Sequence, residues 1–528
     1  MKKILSGILL IAILVGCKKN TPVAPELPLI NPPVDPGVAS QICTAPELIN
    51  MNGASNWGNG TAASCTQASL QLLIDAGGKI KFNGGNSPFT LILTSTLSVP
   101  SNKEVIIDGG NLLTISGNNL VRIFDKQAPA NQNQGSLFAV QNLKLINGNA
   151  NNELGGAAIL GRYFGSLKVI NVVFDNNRSQ LSNPDACGAV HTGGYKEVIF
   201  ANCVFTNNRA ANGAAVGTIG SSQIFINCKF ENNEATGMGG TFDKGGSGGA
   251  IYVDGVDQNG VNNSLNLCGC EFINNKAKYQ AGALNVIFYA GKNSSLSIDK
   301  CSFEGNICEP DKGGACYFMN GSLKLTNSTF ANNTSSSIGG ALWANNYNAN
   351  ISNCTFNGND AVKGNDGLGG AIAFDGSGNN KTATITNCTF AENRAGNFAS
   401  AIFNGGELTL TNNLFYKNKV GIGNQSNADA GAVINKQSNL IINAGNMQFP
   451  KQYTSQFGTA DEHWITSAVL TTDALLQKLL NNEGPTKTMA LPANSPAKDQ
   501  GTALGVPTTD QRGKPRKGNV DIGAFEVQ

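Results

Sequence analysis

The chain has 528 residues, a formal net charge of +2, 14% charged side chains and 64 glycines. That length holds two or three ordinary domains or one long repeat array, and the near-neutral balance gives no global attraction to nucleic acid or acidic polymers. So much glycine with so little charge argues against an ordinary mixed α/β enzyme. The one basic cluster, Lys514-Pro515-Arg516-Lys517, reads as a solvated turn.

At the N-terminus, Lys2 and Lys3 precede an apolar run over residues 4–15. The run is too short to span a bilayer and suits the core of a signal peptide. It ends in Leu14-Val15-Gly16-Cys17, which resembles the lipobox of bacterial lipoproteins. That resemblance makes residues 1–17 a lipoprotein signal peptide and lipobox, in which Cys17 becomes the first residue after cleavage and the lipid-attachment residue. Lys18 rather than aspartate follows the cysteine, which resembles the pattern of export to an outer membrane. The resemblance therefore implies an outer-membrane lipoprotein, placed at the cell surface. Residues 18–41 contain six prolines, giving an extended stalk of up to ~70 Å between membrane and folded body.

Residues 42–80 read as an N-terminal cap. The stretch "TQASLQLLIDA", 66–76, has apolar positions at helical spacing, a helix to cover the open sheet edge of a first turn. Cys43 and Cys65 stand outside the repeat columns described next and are the candidate disulfide of this exported chain.

Residues 81–445 carry short alternating runs and, from Phe174 onward, a regular phrase. Nine phenylalanines (Phe174, Phe205, Phe230, Phe272, Phe303, Phe330, Phe356, Phe390 and Phe415) recur at intervals of 25 to 42 residues. Three residues after each stands an asparagine: Asn177, Asn208, Asn233, Asn275, Asn306, Asn333, Asn359, Asn393 and Asn418. Three residues before, asparagine fills seven of the nine positions, with Gly269 and Lys300 the exceptions. A Gly-Ala-aliphatic phrase precedes the next phenylalanine, as in "GGAIYV" and "GGAIAF". Alternation over four to six residues broken by Asn or Gly means short strands joined by tight bends, since Asn and Gly tolerate left-handed backbone. A unit of about 25 residues with about three strands makes one turn of a parallel β-helix, in which equivalent residues stack. The fold class is all-β, a single-stranded right-handed parallel β-helix with short helical caps, about a dozen turns and a rod of roughly 60 Å. The asparagines form a structural ladder, each amide bonding the next.

Six of the thirteen cysteines fall in one column, two residues before the phenylalanine: Cys203, Cys228, Cys270, Cys301, Cys354 and Cys388. Stacked side chains about 4.8 Å apart exceed the roughly 3.5–4.5 Å between Cβ atoms that a disulfide needs, so these read as buried small hydrophobes. One cysteine per turn with almost no histidine does not suit zinc.

Beyond Asn418 the period fades. "TTDALLQKLL", 471–480, is a second helix candidate within a C-terminal cap at 446–528.

Three resemblances attach to these phrases. The paired "GGA[ILV]" and "F-x-x-N" motifs over about 150–420 resemble the repeats of polymorphic outer-membrane proteins, which implies a surface adhesin; those proteins end in a transmembrane barrel, and none follows the repeats here. "GTAASCTQASLQLLIDAGGKIKF" with "VIIDGGNLLTISGNN" resembles the opening of pectate-lyase-like β-helices. "NNEGPTKTMALPANSPAKDQG" with "TDQRGKPRKGNVDIGAFE" resembles the choice-of-anchor Q domain of exported β-helix proteins. Together they imply fold and export, not a reaction.

Lyases and hydrolases of this fold class use clustered carboxylates, often with calcium. Carboxylates here do not repeat at one strand position on adjacent turns: Asp254 and Asp257 lie in the insertion 237–262, and Asp375 follows a different strand with no shared column. Asp510, Arg512 and Asp521 read as a salt-bridged cap. No catalytic residue, metal ligand or cofactor is assigned, and calcium enters only under a lyase alternative. If Ile251 and Val253 face inward, an outward row runs Ile159, His191, Val216, Tyr252, Asn285, Tyr317, Trp343, Ala373 and Phe403. Of these, His191, Tyr252, Tyr317, Trp343 and Phe403 are the candidate ligand-binding residues, an aromatic stripe suited to a glycan. The expectation is a lipid-anchored surface adhesin or carbohydrate-binding scaffold whose partners are the membrane, through the lipid, and a polysaccharide or cell-surface glycan. A polysaccharide lyase or glycoside hydrolase is the alternative, and a structural envelope protein a further one.

Overall fold

The computed structural model describes residues 42–127, 136–150, 154–162, 165–183, 187–194, 196–238, 244–256, 264–289, 293–361, 367–375, 381–396, 399–420, the strand segments 433–435, 440–442 and 447–449, and 474–528 apart from 504. Cys17 and the proline-rich stretch 18–41 lie outside the described residues.

The repeated phrase places three left-handed corners in most turns. One is the position three before the phenylalanine, from Asn202 (φ 52°) to Asn412 (φ 53°), with Gly269 and Lys300 equally left-handed. A second is two residues after the phenylalanine, as at Asn207 (φ 56°) and Asn332 (φ 54°). The third is the first glycine of the Gly-Gly-Ala phrase, for example Gly369 (φ 64°), with Ala281 and Ala399 equally left-handed in its place. The second glycine answers a different demand: a Cβ on Gly370 would run into the carbonyl of Ser400 in the next turn. Asparagine and glycine recur because L-residues with larger side chains resist this backbone.

Between corners the chain forms strands that pair in parallel, turn upon turn. Glu197–Ala201 pairs with Gln223–Ile226, which pairs with Ser264–Cys268, then Ser295–Asp299. A second face stacks Val204–Thr206, Lys229–Glu231 and Glu271–Ile273; a third stacks Val190–Gly193, Val216–Ile219 and Ile251–Asp254. A fourth segment, not separated in the sequence, follows the ladder asparagine as two-residue strands that form a ten-stranded sheet from Asn149–Ala150 to Lys419–Val420. The architecture is an all-β parallel β-solenoid.

Its bore is filled by columns. Phenylalanine rings from Phe174 to Phe415 stack with centroids 4.5–5.1 Å apart. The column cysteines are buried free thiols. The Cys270 N–H donates to Cys301 Sγ at 3.4 Å, the Cys301 N–H to Ser328 Oγ at 3.0 Å, and the Cys388 N–H to Asn413 Oδ1 at 3.0 Å. Cysteine, serine and asparagine thus interchange at this position because each offers an acceptor to the neighbouring turn. Burial pushes the thiols of Cys228, Cys301 and Cys354 well above their ordinary range.

The helix Gln67–Ala76 forms with Thr66 and Ser69 as a reciprocal capping pair; it buries Leu70 and Ile74 against the first turns and ends at Gly77 (φ 80°). Two other expectations about the ends need correction. Cys43 is bonded to Cys268, 225 residues away, not to Cys65, which is a buried free thiol. The reason is that the N-terminal segment does not fold back locally. It runs along the flank of the rod, where Cys43 exchanges two bonds with the Asn227 amide (3.0 and 2.8 Å) and Ile49 exchanges two with Gln141 (2.9 and 3.1 Å). Gly269 in the corner column makes room, since a Cβ there would approach Cys43 Sγ to 3.3 Å. The second helix candidate, 471–480, forms no helix over its described residues 474–480: Leu475 is left-handed (φ 59°), and the stretch ends in the strand Leu479–Leu480, paired antiparallel with Thr488–Met489.

The C-terminal region lies along the same flank. Thr486 Oγ1 donates to the Asn327 carbonyl (2.9 Å), Asn353 Nδ2 to the Thr509 carbonyl (2.8 Å), and Asn387 Nδ2 to the Asp521 carbonyl (3.2 Å). The segment beginning at Ile42 and the C-terminal region therefore both use corner asparagines as docking amides, and this flank is a spine.

Candidate functional site

The face bearing the Gly-Gly-Ala strands, away from the spine, is where the turns differ. From strand end to phenylalanine to ladder asparagine the spacing is constant: Ala201, Phe205 and Asn208 in one turn match Cys268, Phe272 and Asn275 in another. Between the ladder asparagine and the next inward alanine it is not. Residues 209–214 separate Asn208 from Ala215, whereas residues 234–249 separate Asn233 from Ala250. Length variation in loops on a rigid scaffold is where binding functions concentrate.

The register fixes which side chains share this face. One column runs Leu160, His191, Gly217, Tyr252, Asn285, Tyr317, Trp343, Ala373 and Phe403. Ile159 and Val216, placed in this row from the sequence, belong one position earlier, in the inward column with Ile251, Leu284 and Leu342. Leu160 and Gly217 take their places, because the alternation between the Gly-Ala phrase and its strand was set one residue off in those turns.

The row points out of the bore, but it is not an open stripe. Tyr252 is 7% exposed, Tyr317 5%, Trp343 2% and His191 0%, while Phe403 is half-buried. Tyr317 and Trp343 stack at 4.2 Å between centroids and form a satellite cluster with Ala281 and Ala373, flanked by Ile287, Met319, Ile338 and Phe403. Over it lies Lys312, its Nζ 4.8 Å from the Trp343 ring centroid and 3.5 Å from the Asp375 carboxylate. Asp311 accepts a bond from Gln280 Nε2 at 3.0 Å. Burial first, then the charges of Asp311 and Asp375, push the Tyr317 hydroxyl well above its ordinary range. The covering residues come from the variable loops, which pattern-reading along one strand does not reveal.

Two polar groups on this column lack hydrogen-bond partners among the described residues. Both amide atoms of Asn285, fully buried between Tyr252 and Tyr317 in the register, make no hydrogen bond there, and neither does the Trp343 Nε1. A buried polar group left so costs about 1–3 kcal/mol.

Asp254 and Asp375 do share a column after all, through Ile287, Met319 and Asn345. Four turns of about 4.8 Å separate them by about 19 Å, beyond the roughly 5–9.5 Å of paired glycosidase carboxylates. Asp257 lies outside the described residues. Among the described residues no cluster of three or more His, Cys, Asp or Glu is arranged for a metal ion.

At the spine, Asp510 pairs with Arg512 at 2.7 Å, and Arg516 with Glu526 at 3.0 Å, all four side chains at most 5% exposed. Arg516 also reaches Asn353 Oδ1 at 2.9 Å, so the pairs staple the C-terminal segment to the corner column. An open cleft of about 440 Å³ lies between Glu304, Glu392 and Tyr416 of the rod and Lys478, Leu479 and Lys487 of that segment, crossed by the Lys487–Glu304 pair at 2.8 Å.

The model of the Chlamydia polymorphic membrane protein repeat matches residues 227–254 and 327–345. No curated protein sequence matches the chain. Among solved structures, it is similar to tailspike protein 3 of bacteriophage CBA120 at 13% identity and TM-score 0.38, over 72% of this chain and 60% of the tailspike, so it spans less than two thirds of that protein. It is also similar to PfbA, a surface adhesin of Streptococcus pneumoniae, in two structures: 13% identity, TM-score 0.29, 84% of this chain and 99% of that one; and 11%, 0.30, 74% and 98%.

Proposed function

We propose that this chain is a lipid-anchored cell-surface rod that binds carbohydrate on its loop-bearing face. The observation that carries the reading is the division of labour around each turn. Spacing is constant on the spine side, where the Cys43 segment and the C-terminal region dock, and variable where Tyr252, Tyr317 and Trp343 point out of the bore. The matched repeat model is named for a membrane protein, which agrees with a place at the envelope. Cys17 is the proposed lipid-attachment residue, and incorporation of labelled fatty acid into the wild type but not Cys17→Ser tests it.

Binding is tested on an array of oligosaccharides with the mature chain, beside a variant in which 234–249 is shortened to the length of 209–214. Retention by the wild type and loss in the variant is the expected result; no retention by either removes the carbohydrate reading. One observation favours catalysis as a second reading. Asp311 and Asp375 both act on the Tyr317 hydroxyl, with Lys312 beside them. Chain cleavage of an acidic polysaccharide with calcium present would place the protein among lyases or hydrolases instead.

A further inference from the structure

We propose that Asn285 and Trp343 form a subsite for an uncharged or amino pyranose, its Trp343 end covered in the free protein by Lys312. The proposal rests on the carbohydrate reading of this face and names the residues and sugar class that would carry it. Its starting point is the pair of unpaired buried groups. Asn285 offers a donor and an acceptor, Trp343 a donor, and the folded chain uses none of them. They sit on one column two steps apart, with the Tyr317 ring between them and the Tyr252 ring on the far side of Asn285.

That combination matches the two sides of a sugar ring. Adjacent hydroxyls both donate and accept, as an amide requires; a third oxygen can accept from Nε1–H; and the C–H face stacks on an aromatic ring. Water alone would satisfy the polar atoms but would not use the rings. Lys312 fits the role of a movable cover. Its side chain is 27% exposed and its partner Asp375 39% exposed, so the ion pair is screened and gives way readily. The rim also selects. Asp311 and Asp375 both lie close enough to act on Tyr317 and would repel a uronate carboxylate.

Two variants test the subsite without emptying the cluster. Asn285→Leu deletes the amide, and Trp343→Phe keeps a ring but removes the N–H. Asn285→Leu is expected to leave the thermal midpoint unchanged or raised, because it deletes an unpaired buried amide; Trp343→Phe also removes ring volume and is expected to lower it slightly. Each is expected to weaken retention on neutral and N-acetylated hexose oligosaccharides at least tenfold, with uronate oligosaccharides bound by neither variant nor wild type. Lys312→Ala is expected to tighten binding. A lowered midpoint in Asn285→Leu would show that the folded chain already satisfies the amide, and would overturn the proposal. So would unchanged retention in both variants. If the wild type binds and only the shortened loop loses binding, this subsite fails while the wider carbohydrate reading stands; if the wild type binds no oligosaccharide, both fail.

Discussion

Asn333 Nδ2 donates to Asn359 Oδ1 at 2.9 Å and also to the Phe303 carbonyl at 2.9 Å, while its own Oδ1 accepts from Asn306 Nδ2 and the Asn306 backbone N–H. One side chain thus joins three consecutive turns with every hydrogen-bonding position of its amide in use, and the same pattern runs from Asn208 to Asn393. The ladder asparagines are buried, so water offers no replacement. Asn333→Ala breaks four bonds and leaves the Phe303 carbonyl and the Asn306 N–H unpaired in a cavity. A loss of about 4 kcal/mol is expected. Because turns stabilise only their neighbours, the damage should be local. Hydrogen exchange should accelerate around 300–360 before it does near Asn177.

The Cys43–Cys268 bond closes a loop across a sequence separation of 225 residues. In the chain-entropy account such a loop stabilises by up to about 5 kcal/mol. Cys43→Ser should therefore lower the denaturation midpoint markedly, whereas Cys65→Ser should not. Peptide mapping without reductant should recover 43 joined to 268 and Cys65 as a thiol. The column thiols are buried, and burial pushes those of Cys228, Cys301 and Cys354 well above their ordinary range. Alkylating reagents should therefore reach them only after unfolding.

Much of this fold was legible because the repeat writes backbone geometry directly into residue type. Asn353 marks a left-handed corner, Phe356 a core column, and Gly370 a place where the next turn leaves no room for a Cβ. Asn359 sits beside a bend rather than at it: it is not left-handed, its amide carries the ladder, and the bend falls on Gly358 (φ 63°). What could not be read was everything that depends on how distant segments cross. Cys43 and Cys268 meet because a terminal segment follows the rod axis, a direction along which sequence spacing carries no signal. Trp343 is covered because Lys312 arrives from the loop of the preceding turn. Its burial also changes what its removal does: Trp343→Ala should cost about 3 kcal/mol or more, as a core truncation does, whatever it does to binding.

Lys126 points into the bore, in register with Gly161, Thr192 and Thr218, and is fully buried. Its Nζ donates to the Lys103 carbonyl at 3.0 Å and to Ser136 Oγ at 2.9 Å, but burial still lowers its pKa to about 8, with Glu104 opposing. A lysine whose folded pKa is depressed destabilises the fold wherever the unfolded chain binds the proton more strongly. Stability should accordingly rise between pH 8 and about 10.5 and be insensitive to this group below pH 8. The shift corresponds to about 3 kcal/mol. Urea midpoints of the wild type and Lys126→Met, compared at pH 7 and pH 10, should show the gain in the wild type alone.

The spine staples give the sharpest contrast between removing one charge and removing two. Arg516 and Glu526 are 3% and 1% exposed, and burial lowers the Arg516 pKa while Glu526 holds its charge in place. Glu526→Gln strands a buried guanidinium, a change that costs about 3–5 kcal/mol in comparable pairs. The double variant Arg516→Met with Glu526→Leu strands neither charge and should recover part of that loss, though not the bond from Arg516 to Asn353 at 2.9 Å. The segment these pairs hold contributes Thr509, Asp521 and Gly523 to the corner asparagines, so its release should be visible away from the ion pair. Limited proteolysis should cut within 474–528 rapidly in Glu526→Gln, more slowly in the double variant and slowest in the wild type. Equal cutting of both variants would mean that the Asn353 contact, rather than charge burial, fastens the segment to the rod.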